Sequence, residues 1–297
     1  MIALLQATPA AVDAEDAIRR RARALINEVQ SVFVWEGPPF DLIALASYRG
    51  FQVIMTGGLA PSQDACIIPG LIAINSSKPP RRRRYSLAHE ISHTLFPDYD
   101  DTLRSAGKLW RDARKPMKTD AANVELERLC DIGASELLLP EFAFRPLLLA
   151  DGLSLDTVVR LSTLFDASLE ATCRRATDIT HERAMTLVVQ PWDTETGKPT
   201  REYAPRASLR VARSFPSRAS SNWTLRSGTQ VPTTSVASKA WMRAPFPTLG
   251  IDLHTASEVW PTIDTGADAS ETLECHAMTL PYRAKAPSEV LVLLRQL

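Results

Sequence analysis

Ser86-Leu-Ala-His-Glu-Ile-Ser-His93 contains the pattern H-E-x-x-H, and no other stretch of the 297 residues constrains the fold as tightly. Two imidazoles four residues apart point to one side only on a helix, so the spacing demands a helix that keeps one face for a shared metal ion. His89 and His93 would ligate from that face while Glu90 stands beside it without ligating, as in hydrolases that activate water at a metal. Ser86 is the expected N-cap of this helix and Pro97 its expected end.

A tetrahedral site needs a third protein ligand, and H-E-x-x-H is short enough to arise by chance. Glu127 is the best candidate, in Glu127-Arg-Leu-Cys-Asp-Ile-Gly-Ala-Ser-Glu-Leu-Leu-Leu-Pro140. Glu127, Asp131 and Ala134 fall on one helical stripe, and Gly133 and Ala134 are small enough to let a second helix come close. Asp131, one turn beyond Glu127, can then accept the far N–H of a ligating histidine. Glu125 is a rival third ligand, but two residues from Glu127 it points to another face. The null alternative is an ordinary amphipathic helix with surface histidines.

Together these residues resemble the ImmA/IrrE family of gluzincin-like metallopeptidases. That family's pattern runs from an Arg-Phe-Thr-type lead into A-H-E-x-x-H and then E-x-x-A-N/D-x-F-A-x-x-L-L-x-P. Here the lead is Arg84-Tyr-Ser86, followed by Ala88-His-Glu-Ile-Ser-His93 and the helix from Glu127 to Pro140. Upstream, Asp41 to Gly50 and Ile72-Ala-Ile-Asn75 occupy the places of the family's first core helix and the strand before its catalytic helix. The resemblance covers Phe40 to Pro140, with departures at Cys130, where alanine is usual, and at Gly133, where phenylalanine is usual. The segment between the two motifs is also long and basic.

The chemistry follows from charge. Two neutral imidazoles and one carboxylate leave a divalent site net positive, which acidifies water and polarises a peptide carbonyl, with zinc the expected ion and manganese or iron the alternatives. Glu90 would take the water proton and pass it to the leaving amine. Tyr85 and Arg84 are the local candidates for a second donor to the developing oxyanion or for contact with substrate. By resemblance, the substrate is a helix-turn-helix, phage-repressor-like transcriptional regulator, cut at a limited site so that its genes are switched on, as in a stress response. The alternatives are a non-catalytic regulator that binds DNA or a repressor, and a general peptidase for small peptides.

The rest of the chain bounds this reading. The 34 basic and 34 acidic residues cancel, so net charge favours no polyanionic partner. Cys66, Cys130, Cys173 and Cys275 are far apart, without the spacing of a disulfide framework or a C-x-x-C pair, as expected of reduced thiols in a cytoplasm. Neither a secretory leader nor an apolar run of membrane-spanning length is legible, so a soluble cytoplasmic protein with no membrane partner is expected. Apolar spacing predicts helices over about 13–32, 40–48, 119–139 and 142–150, and strands at Phe51–Met55 and Leu71–Asn75. The fold class expected is α+β: a helical zincin-like core with a small sheet over 1–150, a helix-turn-helix-like segment over 151–180, and a strand-rich domain over 181–297. Some members of the family carry a GAF-like sensory fold in that last position, with which strands such as Met185–Gln190 and Thr272–Met278 are compatible.

The four arginines Arg81 to Arg84 oppose a helix N-terminal dipole, so they are expected on an extended edge beside the cleft rather than inside the catalytic helix. A short basic run of this kind is more often a solvated surface than a nucleic-acid patch. Helical hairpins that merely pack are also commoner than DNA readers, and the start of the 169–175 run is poor in base-reading residues. His181, His254 and His276 lack ligand spacing and are expected to be surface or locally bonded histidines.

Overall fold

The computed structural model describes residues 14–35, 37–96, 99, 121–200, 207–220, 223–243, 253–264, 267–280 and 289–296. The expected helix end at Pro97 and the long basic segment between the two motifs lie outside these. Contacts divide the chain into two units, Met1–Phe144 with Thr163–Ser168 and Arg145–Ser162 with Leu169–Leu297. Helices and two separate sheets make the fold mixed α and β. Among the described residues no helix is long and apolar enough to cross a membrane.

In the first unit, helix α1 spans Ala14–Val32 and α2 spans Leu42–Tyr48. Ala17, Ile18, Ala22, Leu25, Ile26 and Val29 recur at helical spacing on α1 and are its buried face. Asp41 caps α2 by accepting hydrogen bonds from Ile43 N and Ala44 N. Three short strands follow, β1 (Gln52–Thr56), β2 (Ala65–Ile68) and β3 (Leu71–Asn75), in the order β1-β3-β2. β3 is central, parallel to β1 and antiparallel to β2, and its run Ile72-Ala-Ile is buried. β2 has no legible alternation in the sequence and was not expected.

Helix α3 spans Pro80–His93 and α4 spans Ala121–Leu138. α4 lies between α3 and α1, while α3 also rests on β2 and β3. The orientation of α4 is fixed at its far end. Arg23 of α1 donates to the fully buried Glu136 at 2.9 Å and to Glu141 at 2.6 Å, and Glu136 also accepts from Glu141 N at 3.0 Å. A carboxylate buried this completely persists because all of these donors compensate its desolvation.

The second unit contains most of α5 (Glu141–Asp151), α6 (Leu155–Leu164) and α7 (Leu169–Ile179). Its sheet has six strands, β4 (Ala184–Asp193), β5 (Ala207–Pro216), β6 (Trp223–Thr224), β7 (His254–Asp264), β8 (Ala267–Thr279) and β9 (Val290–Gln296). They run in the order β5-β4-β9-β8-β7-β6, every pair antiparallel. Strand alternation sorts the residues onto two faces. Met185, Leu187 and Val189 join Val290, Val292 and Leu294 in a core with Trp223, Trp241 and Trp260, where the short helix α8 (Val236–Arg243) packs. Thr186, out of phase with Leu187, meets α7 instead, 2.6 Å from Thr177 Oγ1 and 3.2 Å from Cys173 Sγ. The helix pair expected to resemble a helix-turn-helix therefore lays its second member on β4 and β5.

Candidate metal centre

Helix α3 begins at Pro80, six residues before Ser86, which was expected to be its N-cap. Pro79 is its N-cap residue and Pro80 opens it, with φ already set for a first turn that needs no N–H from proline. Ser86 is inside the helix, its hydroxyl donating back to Arg82 O at 2.9 Å. The expectation that Arg81 to Arg84 lie on an extended edge is likewise overturned, since all four are in the first turns of α3. Aspartates remote in sequence supply the missing negative charge. Asp64 pairs with Arg82 and with Lys78 at 2.8 Å, and Asp166 lies 3.4 Å from Arg81 and 3.3 Å from Arg84. Asp64 has its carboxyl held below the usual range: burial alone would raise it, but Lys78 and Arg82 outweigh that.

α3 and α4 approach closely because Gly133 has no side chain. A Cβ there would stand 2.0 Å from Ser92 Oγ, 3.2 Å from Ser92 Cβ and 3.3 Å from Ile18 Cγ1. The glycine that departs from the family pattern is thus the point at which the two helices touch. This approach brings His89, His93 and Glu127 together, one potential ligand atom from each lying within 4.8 Å of the others. His89 Nε2 and Glu127 Oε2 are 3.2 Å apart. Bonds of about 2.0–2.2 Å at tetrahedral angles set neighbouring ligand atoms about 3.3–3.6 Å apart, so the pair is close to the spacing of two ligands on one small divalent ion. Among the described residues this is the one group of three His, Cys, Asp or Glu side chains with such convergence.

Asp131 Oδ1 lies 3.0 Å from His89 Nδ1 and accepts from Tyr85 OH at 2.7 Å. With Asp131 on Nδ1, the proton of His89 belongs on that nitrogen and Nε2 is the one directed toward Glu127. Of the two local candidates for an oxyanion or substrate contact, Tyr85 gives its hydroxyl to Asp131, and Arg84 donates to Phe40 O at 3.1 Å and pairs with Asp166. Glu125 is bound to Arg128, whose hydrogen bond holds its carboxyl below the ordinary range, and Arg128 also reaches Glu15. Glu90 follows His89 on α3 and is half-buried. It is near enough to β2 that its charge, after burial, pushes the Cys66 thiol upward.

One contact had no sequence signal beyond an unusual residue: Cys130 Sγ lies 3.3 Å from His93 Nδ1. In the second unit, His181 lies 2.9 Å from Arg145, and His276 lies 3.4 Å from Glu274 and 3.3 Å from Thr255.

Known proteins place this geometry. The profile of the IrrE N-terminal-like domain matches residues 49–177, which include every residue of the cluster. The chain is 29% identical over 170 residues to the radiation response metalloprotease IrrE of Deinococcus radiodurans, a match covering 54% of this chain and 48% of that protein. It is 40% identical over 70 residues to the protein of the same name from Deinococcus deserti, covering 24% of this chain and 22% of that one. The chain thus matches about half of the first relative and about a fifth of the second. A solved structure of a Mycobacterium tuberculosis transcriptional regulator shares the fold, with a TM-score of 0.54 at 15% identity over 95% of this chain and 79% of that one. With the motif, the convergence of His89, His93 and Glu127 and the matched profile in agreement, residues 49–177 are similar to the IrrE N-terminal-like domain of the ImmA/IrrE metallopeptidases.

Proposed function

We propose that this protein is a zinc-dependent endopeptidase that cuts a helix-turn-helix transcriptional repressor at a limited site. The observation that carries the reading is the contact of 3.2 Å between His89 Nε2 and Glu127 Oε2, with His89 Nδ1 held by Asp131 on the far side. Two nitrogens and one carboxylate oxygen suit zinc, and a bound ion supplies a positive centre that acidifies water and polarises a peptide carbonyl. Asp131 keeps the proton of His89 on Nδ1 and the ring in one orientation, and Tyr85 in turn keeps Asp131 in place. The Glu90 carboxylate takes a proton from the attacking water as its oxygen bonds the carbonyl carbon. It returns the proton to the amide nitrogen as the C–N bond breaks.

The repressor as substrate rests on the family resemblance, and the relatives' description as radiation response metalloproteases favours a stress-linked trigger. The antiparallel sheet with α7 on one face and α8 on the other favours reading the C-terminal unit as a GAF-like regulatory fold. A DNA-binding role fits less well. Arg175 on α7 is buried and pairs with Asp178 at 3.1 Å, and Arg174 stacks over Phe215 at 4.0 Å, so neither is presented to a groove.

Elemental analysis of wild type and Glu127→Ala, with fragment analysis of a phage-repressor-like protein encoded beside this gene, tests the reading. The expected result is one zinc per chain, lost in Glu127→Ala, and discrete fragments that slow by about 10²–10⁴ in Glu90→Gln while its zinc is kept. Wild type that holds no metal under zinc-loading conditions overturns the reading in favour of a binding regulator. Rapid turnover of unrelated short peptides points to a general peptidase instead.

A further inference from the structure

A metal site built on two histidines of one helix has to orient two imidazole rings, and the two rings here are treated differently. Asp131 takes Nδ1 of His89. Nδ1 of His93 faces Cys130 Sγ at 3.3 Å, a contact within reach of a sulfur hydrogen bond. Cys130 and Asp131 are consecutive on α4, and the residues they meet are one turn apart on α3. The two imidazoles are 5.1 Å apart between ring centroids and inclined at 78°, so each needs its own support. Cys130 is fully buried, which removes water as a competing partner for its sulfur.

We propose that Cys130 is a positioning residue for the metal, its sulfur accepting a hydrogen bond from Nδ1–H of His93 and so presenting Nε2 of that ring to the cluster. The direction of the bond follows from ligation. Were the thiol to donate to Nδ1, the ring proton would be on Nε2, and a protonated nitrogen cannot ligate. Alanine at this position would remove this contact with Nδ1, and serine would retain a polar atom with a shorter reach. The inference rests on the reading of His89, His93 and Glu127 as a metal site.

Cys130→Ser, Cys130→Val and Cys130→Ala separate the hydrogen bond from the packing, since valine is larger than cysteine and alanine smaller, and neither has a polar side-chain atom. The readouts are the zinc dissociation constant by chelator competition, the visible spectrum of the cobalt-substituted protein, and thermal unfolding of the metal-free protein. Val and Ala are expected to weaken zinc by about 10–100-fold and to alter the cobalt bands, with Ser in between. The metal-free Val and Ala variants are expected to melt below wild type by amounts that do not track their zinc affinities. Zinc affinities of Val and Ala within about twofold of wild type overturn the role of Cys130 alone, as does a loss of affinity that follows metal-free stability. Wild type that binds no zinc, or a His89→Ala variant that binds it equally well, overturns the metal reading and this inference with it.

Discussion

His89 and His93 in the first unit and His276 in the second all have neighbours that could bond them, yet only the first two serve a cluster. His276 has Thr255 of the paired strand 3.3 Å from Nδ1 and Glu274 of its own strand 3.4 Å from Nε2, so the neighbours of its ring nitrogens come from the sheet. In the first unit Asp131 and Cys130 of α4 face Nδ1 of the two rings, and Glu127, one turn earlier on the same helix, faces His89 Nε2. A histidine becomes a ligand where the neighbouring element occupies one nitrogen and orients the other toward a third group. A histidine whose two nitrogens face only its own strand and the next is a piece of the sheet. The difference is made by the crossing of α3 and α4, which a glycine permits.

The largest expected effect therefore comes from breaking that crossing. Gly133→Ala places a methyl group 2.0 Å from a buried Ser92 Oγ, and overpacking of this kind costs about 1–3 kcal/mol. Alanine recovers up to about 1 kcal/mol over glycine in a helix interior, which blunts the loss without cancelling it. Zinc affinity should fall together with urea-unfolding stability. Ser92→Ala removes the atom that Cβ would strike, so the double variant should regain most of both, as a double-mutant cycle reads directly. A Gly133→Ala protein as stable and as zinc-competent as wild type would mean that the helices do not need the close approach.

A smaller effect isolates the support behind one ring. Tyr85→Phe deletes the 2.7 Å hydrogen bond to Asp131 and leaves Asp131 on His89. One hydrogen bond to a charged acceptor contributes about 1.5–3 kcal/mol at most, and half-buried groups recover part of it from water. Zinc affinity should drop a few-fold, well short of the loss in Glu127→Ala, with Glu90-dependent cleavage retained. Full loss of cleavage at unchanged zinc affinity would return Tyr85 to the role of oxyanion donor.

The convergence of His89, His93 and Glu127 and the contact of Asp131 with His89 were legible because each depends on helical spacing, which a sequence carries directly. Helix α1 was legible because its buried residues repeat at the helical period, and strand β3 because it is a short continuous apolar run between turn residues. The start of α3 was not, because what makes four arginines tolerable there is Asp64 and Asp166, brought from a loop and from beyond α4 by the fold alone. β2 is four residues long, too short for alternation to register. The 236–243 helix is two turns long in a stretch rich in serine and threonine. Cys130 shows only as an unusual residue in a pattern, and its partner His93 becomes visible when the two helices are set side by side.

The smallest effect tests the second half of the comparison, the histidine that belongs to a sheet. Burial is the largest influence on His276 and lowers its pKa from 6.5; Glu274 opposes this and Arg295 adds to it. The folded value is thus below the unfolded one, and between the two the unfolded chain holds more protons. The contribution of neutral His276 to stability is fully present above about pH 6.5 and is lost as pH falls toward the folded value. Glu274, whose carboxyl is held low chiefly by its hydrogen bond from Arg295, loses its own contribution only further down, as pH falls below about 4.5. Unfolding free energies of the metal-free protein between pH 7.5 and 5.5 should therefore decline more steeply in wild type than in His276→Gln. Parallel curves would show that His276 takes up its proton as readily in the sheet as in the unfolded chain, and the contrast between a structural and a ligand histidine would then rest on geometry alone.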